Sequence, residues 1–251
     1  MCTIAFYWVG ENIEIPHRLV TSIRLSMGKS QEVIQLTDQK TPAVPGVTNV
    51  QRFDVSPYIL VGRLEAYAQV KAISDTVFFC DADSLFVNPI EIDFSNQDLL
   101  LAGRNIDGII NHNHPEHYPE FIGKKLSEAM PFITGAIAMK GDRNDLFRSL
   151  LEIYETLPER FHRWYGDQYA LGLMTNSNDL RYGLLNINKH HLTVQSELSP
   201  ATLVSMRAKG VQMITFKGVK NKHYMDGTLK NIIKVYMEKN GSRWVTDVLS
   251  N

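Results

Sequence analysis

Cysteine is nearly absent from this chain of 251 residues, which contains only Cys2 and Cys80. No disulfide framework is expected, and Cys80 lies in an apolar run where any small hydrophobe would serve. Long hydrophobic runs are missing too: no stretch approaches the ~20 apolar residues that cross a bilayer. The opening MCTIAFYWVGENIEIPHR is apolar without the basic leader and processing site of a signal peptide, so the expected location is the cytoplasm. Nor is there a surplus of either charge. A formal net charge of -1 gives no electrostatic support for broad nucleic-acid binding, and leaves a nucleic-acid acceptor open without favouring one. No internal repeat or low-complexity linker divides the chain. With 44% hydrophobic and 21% charged residues the balance is that of an ordinary globular protein, and a single domain over 1–251 is expected.

What is present in the first 90 residues is an alternation of periods. Strand-like runs at Thr3–Val9, Glu32–Thr37, Thr48–Phe53 and Thr76–Cys80 alternate with helix-like segments at Pro16–Met27 and Ile59–Ser74. That βαβ rhythm predicts an α/β fold with a central, mostly parallel sheet flanked by helices. Further along, Asp98–Ala102 and Met130–Met139 read as strands, the second interrupted at Gly135. Arg143–Leu157 reads as an amphipathic helix with Leu146, Leu150, Ile153 and Leu157 on one stripe, ended by Pro158. A helix is expected from Gly166, an irregular region over Asn176–Ser199, a strand within VQMITFKG at 211–218, and a terminal helix over Leu229–Met237. The segment NHNHPEHYPEF carries His112, His114 and His117. With two prolines and no cysteine partner it reads as a solvated or substrate-contacting loop, with acceptor binding or a second metal site as alternatives.

The most informative stretch is TVFFCDADSLFVNP, residues 76–89. Residues two apart share a face of an extended chain, so Asp81 and Asp83 can point into one cavity beyond the strand anchored by Val77, Phe78 and Phe79. In parallel sheets ligands collect at the carboxyl ends of strands, and two carboxylates there suit a hard divalent cation bridging phosphates. Asp81 capping the following turn and Asp83 lying exposed is the plain structural alternative.

Together with Asp167-Gln168 in RWYGDQYALGLM and Lys217-Gly218 in MITFKGVKNKHYM, that triplet resembles a single-domain nucleotide-sugar glycosyltransferase of the GT-A (Rossmann-like) type. The nearest group is the retaining one of glycogenin and the lipopolysaccharide galactosyltransferases (family 8-like), and the resemblance runs weakly over residues 3–225. It implies a nucleotide-binding half in 1–90, a sugar and acceptor half in 91–225 and a C-terminal helix in 226–251. It also implies Mn²⁺ or Mg²⁺ on Asp81 and Asp83 against the diphosphate of a nucleoside-diphosphate sugar, UDP-linked before any other. By the same resemblance Arg63 reaches the donor phosphates or nucleoside, and Tyr7 and Trp8 lie where the base rests, one of them pointing into the core. Thr134 and Gly135 pass close to the sugar and acceptor, while Asp167 and Gln168 contact the transferred sugar.

The chain departs from the family at its histidine-aromatic-any-glycine segment. Thr215 stands where the histidine that ligates the cation is expected, and Asn221 where a lysine is usual, with Lys220 and Lys222 beside it. His223 turning back to the cation, Thr215 with water, or donor phosphates alone are the ways to complete a metal site. Lys217, Gly218, Lys220 and Lys222 form a cluster suited to a diphosphate. The implied activity is sugar transfer to a glycan or other hydroxyl acceptor, with retention. Two competing classes are a catalytically silent sugar-nucleotide or glycan-binding protein and a magnesium-dependent phosphohydrolase. The latter pattern calls for a threonine where this chain has Leu85.

Overall fold

The computed structural model describes residues 2–56, 58–104, 121–141, 144–162, 165–176 and 180–250. His112, His114 and His117 lie outside the described residues. The elements run β1 (Thr3–Tyr7), α1 (Glu14–Met27), β2 (Val33–Thr37), β3 (Asn49–Arg52), α2 (Ile59–Tyr67), β4 (Thr76–Cys80), β5 (Ser84–Phe86), β6 (Leu99–Gly103), α3 (Leu126–Ala129) and β7 (Phe132–Lys140). The second part continues with α4 (Asn144–Thr156), a 3₁₀ turn at Glu159–His162, α5 (Gly166–Asn176), β8 (Gly183–Leu185), α6 (Ile187–His190), β9 (Leu192–Thr193), α7 (Pro200–Ala208), β10 (Met213–Thr215), α8 (Val219–Lys222), α9 (Tyr224–Asn240) and α10 (Ser242–Leu249).

Seven strands form the main sheet in the order β3-β2-β1-β4-β7-β6-β8. β1 pairs in parallel with β2 and β4, β2 with β3, and β6 with β8; β7 alone runs antiparallel to its neighbours β4 and β6. The expected mostly parallel α/β sheet is present. Its central strands are apolar on both faces because helices cover both. On β4, Val77 and Phe79 face the cluster built with Leu64 and Tyr67 of α2, Phe147 and Leu150 of α4 and Leu171 of α5, while Phe78 and Cys80 face Leu19 and Ile23 of α1. A third cluster packs α7, α9 and α10 against a small sheet of order β5-β10-β9, through Leu85, Ile214, Phe216, Leu229 and Val245.

Several boundaries differ from the sequence reading. The helix expected through Ser74 stops at Tyr67, and the apolar residues beyond it divide: Val70 is buried while Ile73 is exposed. The strand across Gly135 is continuous. It bulges there against β6, whose register jumps from Leu101 opposite Ile137 to Ala102 opposite Ile133, leaving Thr134, Gly135 and Ala136 out of that ladder. The terminal helix is two helices, broken at Gly241, whose φ of 85° is open to glycine at little cost. Among the described residues no helix is long and apolar enough to cross a membrane.

Candidate active site

The parity of β4 carries one residue past its end, to Asp81. Asp81 keeps to the side of Val77 and Phe79, where α2 lies, its backbone N–H donating to the Gly135 carbonyl at 3.1 Å, and Asp83 follows in the turn before β5. Arg63, on α2, meets Asp81 there: Nη1 donates to Oδ1 at 2.9 Å, and Nη2 donates to the Thr134 hydroxyl at 2.7 Å and to Asp167 Oδ2. Thr134 also donates to Asp167 Oδ2, so α2, β4, β7 and α5 are tied at one point. Asp167 is 0% exposed in the first turn of α5, and its side chain turns to Arg63 and Thr134. The second carboxylate oxygen, Oδ1, is buried with no partner, as is Arg63 Nε. Burial alone would lower the Arg63 pKa; Asp167 and Asp81 outweigh it and raise it.

The small sheet brings the lysines. Thr215 of β10 lies opposite Ser84 of β5 in antiparallel register, and the Phe216 N–H donates to the Asp83 carbonyl at 2.9 Å. One residue on, Lys217 Nζ donates to Asp81 Oδ2 and stands 3.3 Å from Asp83 Oδ1, while Lys222 Nζ is 3.2 Å from Asp83 Oδ2. Burial would raise the Asp81 pKa, but Lys217 and then Arg63 hold its carboxyl well below the usual range. The Lys217 ammonium, opposed by its own burial, is raised by Asp81 and Asp83. Asn221 donates through Nδ2 to the Lys217 carbonyl at 2.8 Å and so pins the turn. Gly218 begins that turn with φ 81°, Lys220 and His223 are exposed, and Phe216 is core. Thr215 is 0% exposed and its hydroxyl has no partner.

Two further side chains complete the floor. His191, 2% exposed, has neither ring nitrogen in a hydrogen bond. A Cβ added to Gly135 would collide with Asp81 Oδ2 and stand 2.9 Å from His191 Nε2, so both groups close over a backbone that only glycine leaves bare. Burial, reinforced by Lys217 and opposed by Asp81, takes the His191 pKa down to about 3, so the ring is neutral. Arg104, just past β6, donates to Gln168 Oε1 and, through Nε, to the Met130 carbonyl at 2.9 Å. At the end of β1, Tyr7 is buried and Trp8 is half-buried, its indole donating to the Asn12 carbonyl at 3.0 Å.

No protein-family model and no curated protein matches the chain. Solved structures do. A bifunctional glycosyltransferase, WbbM, superimposes with a TM-score of 0.61 at 14% identity over 98% of this chain and 51% of that one. The glycosyltransferase GlyE of Streptococcus pneumoniae TIGR4 gives 0.58 at 11% identity over 98% of this chain and 65% of its own. The galactosyltransferase LgtC, solved with donor and acceptor sugar analogues, gives 0.54 at 12% identity over 94% and 95%. The chain has the fold of these glycosyltransferases. It spans about half the length of WbbM and just under two thirds of GlyE.

On this glycosyltransferase fold, the sequence-derived residues Arg63, Asp81, Asp83, Thr134, Gly135, Asp167, Lys217 and Lys222 come together, with Gln168 next in the chain to Asp167 and held by Arg104. Lys220 and His223 stay exposed at the rim, while Lys217 and Lys222 take the two aspartates. Sequence reasoning missed His191 and the grip of Arg104 on Gln168. His191 lies in a stretch of short elements without periodicity, so its only signal was a His-His pair. A separate cavity of about 340 Å³, lined by Arg24, Lys29, Thr48 and Val248, lies near the amino ends of β2 and β3, away from this cluster.

Proposed function

We propose that this chain transfers a sugar from a nucleoside-diphosphate sugar, UDP-linked in the first instance, to a hydroxyl acceptor such as a glycan, with retention carried over from the group it resembles. The observation that carries the reading is the ionic cluster of Asp81, Asp83, Asp167, Arg63, Lys217 and Lys222 at the carboxyl end of β4, in a glycosyltransferase fold. A phosphohydrolase is disfavoured because Leu85 is buried in β5 and offers no hydroxyl to the aspartate pair. Nothing at the cluster supports a nucleic-acid acceptor.

In the reaction, the bond between the anomeric carbon and the diphosphate oxygen breaks with its electron pair passing to the diphosphate. The acceptor oxygen bonds to the anomeric carbon, and its proton goes to the released diphosphate. Lys217 and Lys222 lower the energy of the departing charge. Gly135 leaves the β7 backbone bare so that Asp81 and His191 can close over it, and Asp167 Oδ1 and the His191 ring nitrogens are buried there without hydrogen-bond partners. Thr134 and Arg63 hold Asp167 in place, and Arg104 holds Gln168. Trp8 at the end of β1 is the candidate surface for the base.

The divalent cation implied by the resemblance does not fit this donor set. Both aspartates accept from ammonium groups, the family histidine position is a buried threonine, and among the described residues no three His, Cys, Asp or Glu form a metal group. The test is nucleoside-diphosphate release from a panel of sugar nucleotides, comparing wild type with Asp83→Ala. Release by wild type that falls at least ~100-fold in a folded variant supports the reading. A folded wild-type chain that neither binds nor cleaves any donor overturns it, and tight donor binding without release, acceptors included, leaves the binding-protein alternative.

A further inference from the structure

We infer that the Lys217 ammonium replaces the divalent cation between Asp81 and Asp83, so that this chain binds its diphosphate and releases it without a metal ion. The inference rests on the sugar-nucleotide reading above and specifies how the charge of the leaving group is met. A cation shared by two carboxylates must take one oxygen from each. Here Nζ of Lys217 already does so, touching Asp81 Oδ2 and lying 3.3 Å from Asp83 Oδ1, and Lys222 holds the remaining oxygen of Asp83 at 3.2 Å. The remaining oxygen of Asp81 goes to Arg63 at 2.9 Å. All four carboxylate oxygens are thus committed to nitrogen donors.

A hard dication needs about six oxygen ligands and would have to settle beside an ammonium of like charge. The ligands that would compensate are missing from the cluster. The Thr215 hydroxyl is sealed in β10, and His223 is exposed at the head of α9. His191 is near Asp81 but carries Lys217 as a neighbour as well.

The ammonium is equipped for the task it takes over. It has three N–H donors, two of which are directed at the aspartates, leaving a third for a phosphate oxygen. Its side chain is 38% exposed, so the cluster opens to a ligand on that side. Its position is fixed from behind by the Phe216 N–H bond to Asp83 and by Asn221 on the Lys217 carbonyl. Three cations and three carboxylates balance in the resting cluster, and Lys220, exposed on the same turn, adds positive charge when the diphosphate arrives. The aspartates hold the lysine in place of coordinating a metal. They are positioning residues in this arrangement, so Asp83→Ala is expected to disable release on this account as well.

The experiment is a Mn²⁺ titration of the full chain followed by electron paramagnetic resonance, bare and with UDP, referenced to UDP alone. It is paired with calorimetric UDP binding in excess chelator and in Mn²⁺. The expected result is a free-ion signal undiminished by the bare chain, UDP affinity equal within about twofold in the two media, and donor release that survives chelation. Lys217→Met is expected to weaken UDP binding by about tenfold or more, the scale of one charge-assisted contact, while Lys217→Arg retains chelator-resistant binding. Stoichiometric loss of the free Mn²⁺ signal on adding wild type, or UDP binding that vanishes in chelator, would overturn the inference. Should no nucleotide bind under any condition, the transferase reading fails, and the bare-chain titration still decides whether the aspartate pair takes a dication.

Discussion

Replacing Arg63 with methionine removes one side chain and leaves two carboxylates without their common partner. Arg63 is 14% exposed and Asp167 0%, so the pair is screened little by solvent, and Asp167 would be left with the Thr134 hydroxyl as its remaining donor. Breaking a buried pair from one side costs about 3–5 kcal/mol, because the orphaned charge has lost its hydration and its counter-ion together. Against a typical stability of about 5–15 kcal/mol that is a large fraction, equivalent to a fall in Tm of about 6–20 °C for a chain of this size. Urea denaturation followed by circular dichroism reads it directly. Arg63→Lys should lie between, since an ammonium cannot reproduce the planar fork that meets Asp81, Thr134 and Asp167 at once. Arg63→Met combined with Asp167→Leu should recover part of the loss, because the uncompensated charge is gone. A single Arg63→Met variant that loses less than about 1 kcal/mol, the range of exposed ion pairs, would refute the buried cluster that the proposed site is built on.

Gly135→Ala should fold, at a cost of about 1–3 kcal/mol, and lose turnover by about tenfold or more, since its methyl group displaces Asp81 and crowds His191; unchanged donor release would remove the close-approach role. His191 is neutral in the fold with its pKa near 3, against ~6.5 unfolded, so the unfolded chain binds the extra proton between those values and stability is lost as pH falls through that window. Between pH 7 and pH 5 wild type should lose about 2 kcal/mol more than His191→Gln in urea denaturation, and equal losses would place the ring in contact with water. Thr215→Val deletes a buried hydroxyl that has no partner, so stability should stay level or rise by up to about 1 kcal/mol with donor release intact. A loss of release in that variant would restore Thr215 as a ligand.

The main sheet was readable because β1 and β4 each contain four consecutive apolar residues, and because the fold buries both sides of β4, as the run Val77–Cys80 implies. Position after that strand marked Asp81 and Asp83, and position at the start of α5 marked Asp167. The short strands β5, β8 and β9 gave no such signal, since two or three residues cannot display a period. Arg63 was assigned outward to the donor, whereas the structure turns its guanidinium inward to two carboxylates and a hydroxyl. A helix position alone does not say which of its neighbours across the sheet carries the opposite charge.

The least legible feature is the one on which the proposed chemistry turns. The lysines at 217, 220 and 222 read as a positive run suited to a diphosphate, and nothing in their spacing separates the three. What separates them is the pairing of β10 with β5: because Thr215 faces Ser84 and the Phe216 N–H meets the Asp83 carbonyl, Lys217 is the first residue past the ladder and emerges level with the aspartates. Lys222 returns to Asp83 only after the turn of α8, and Lys220, between them, faces out. A slip of one residue in that register would turn Lys217 to the opposite face and remove the one cation that both carboxylates share. The choice between an ammonium and a dication is thus set by a three-residue strand pairing across more than a hundred residues of sequence, where residue identity alone carries no information.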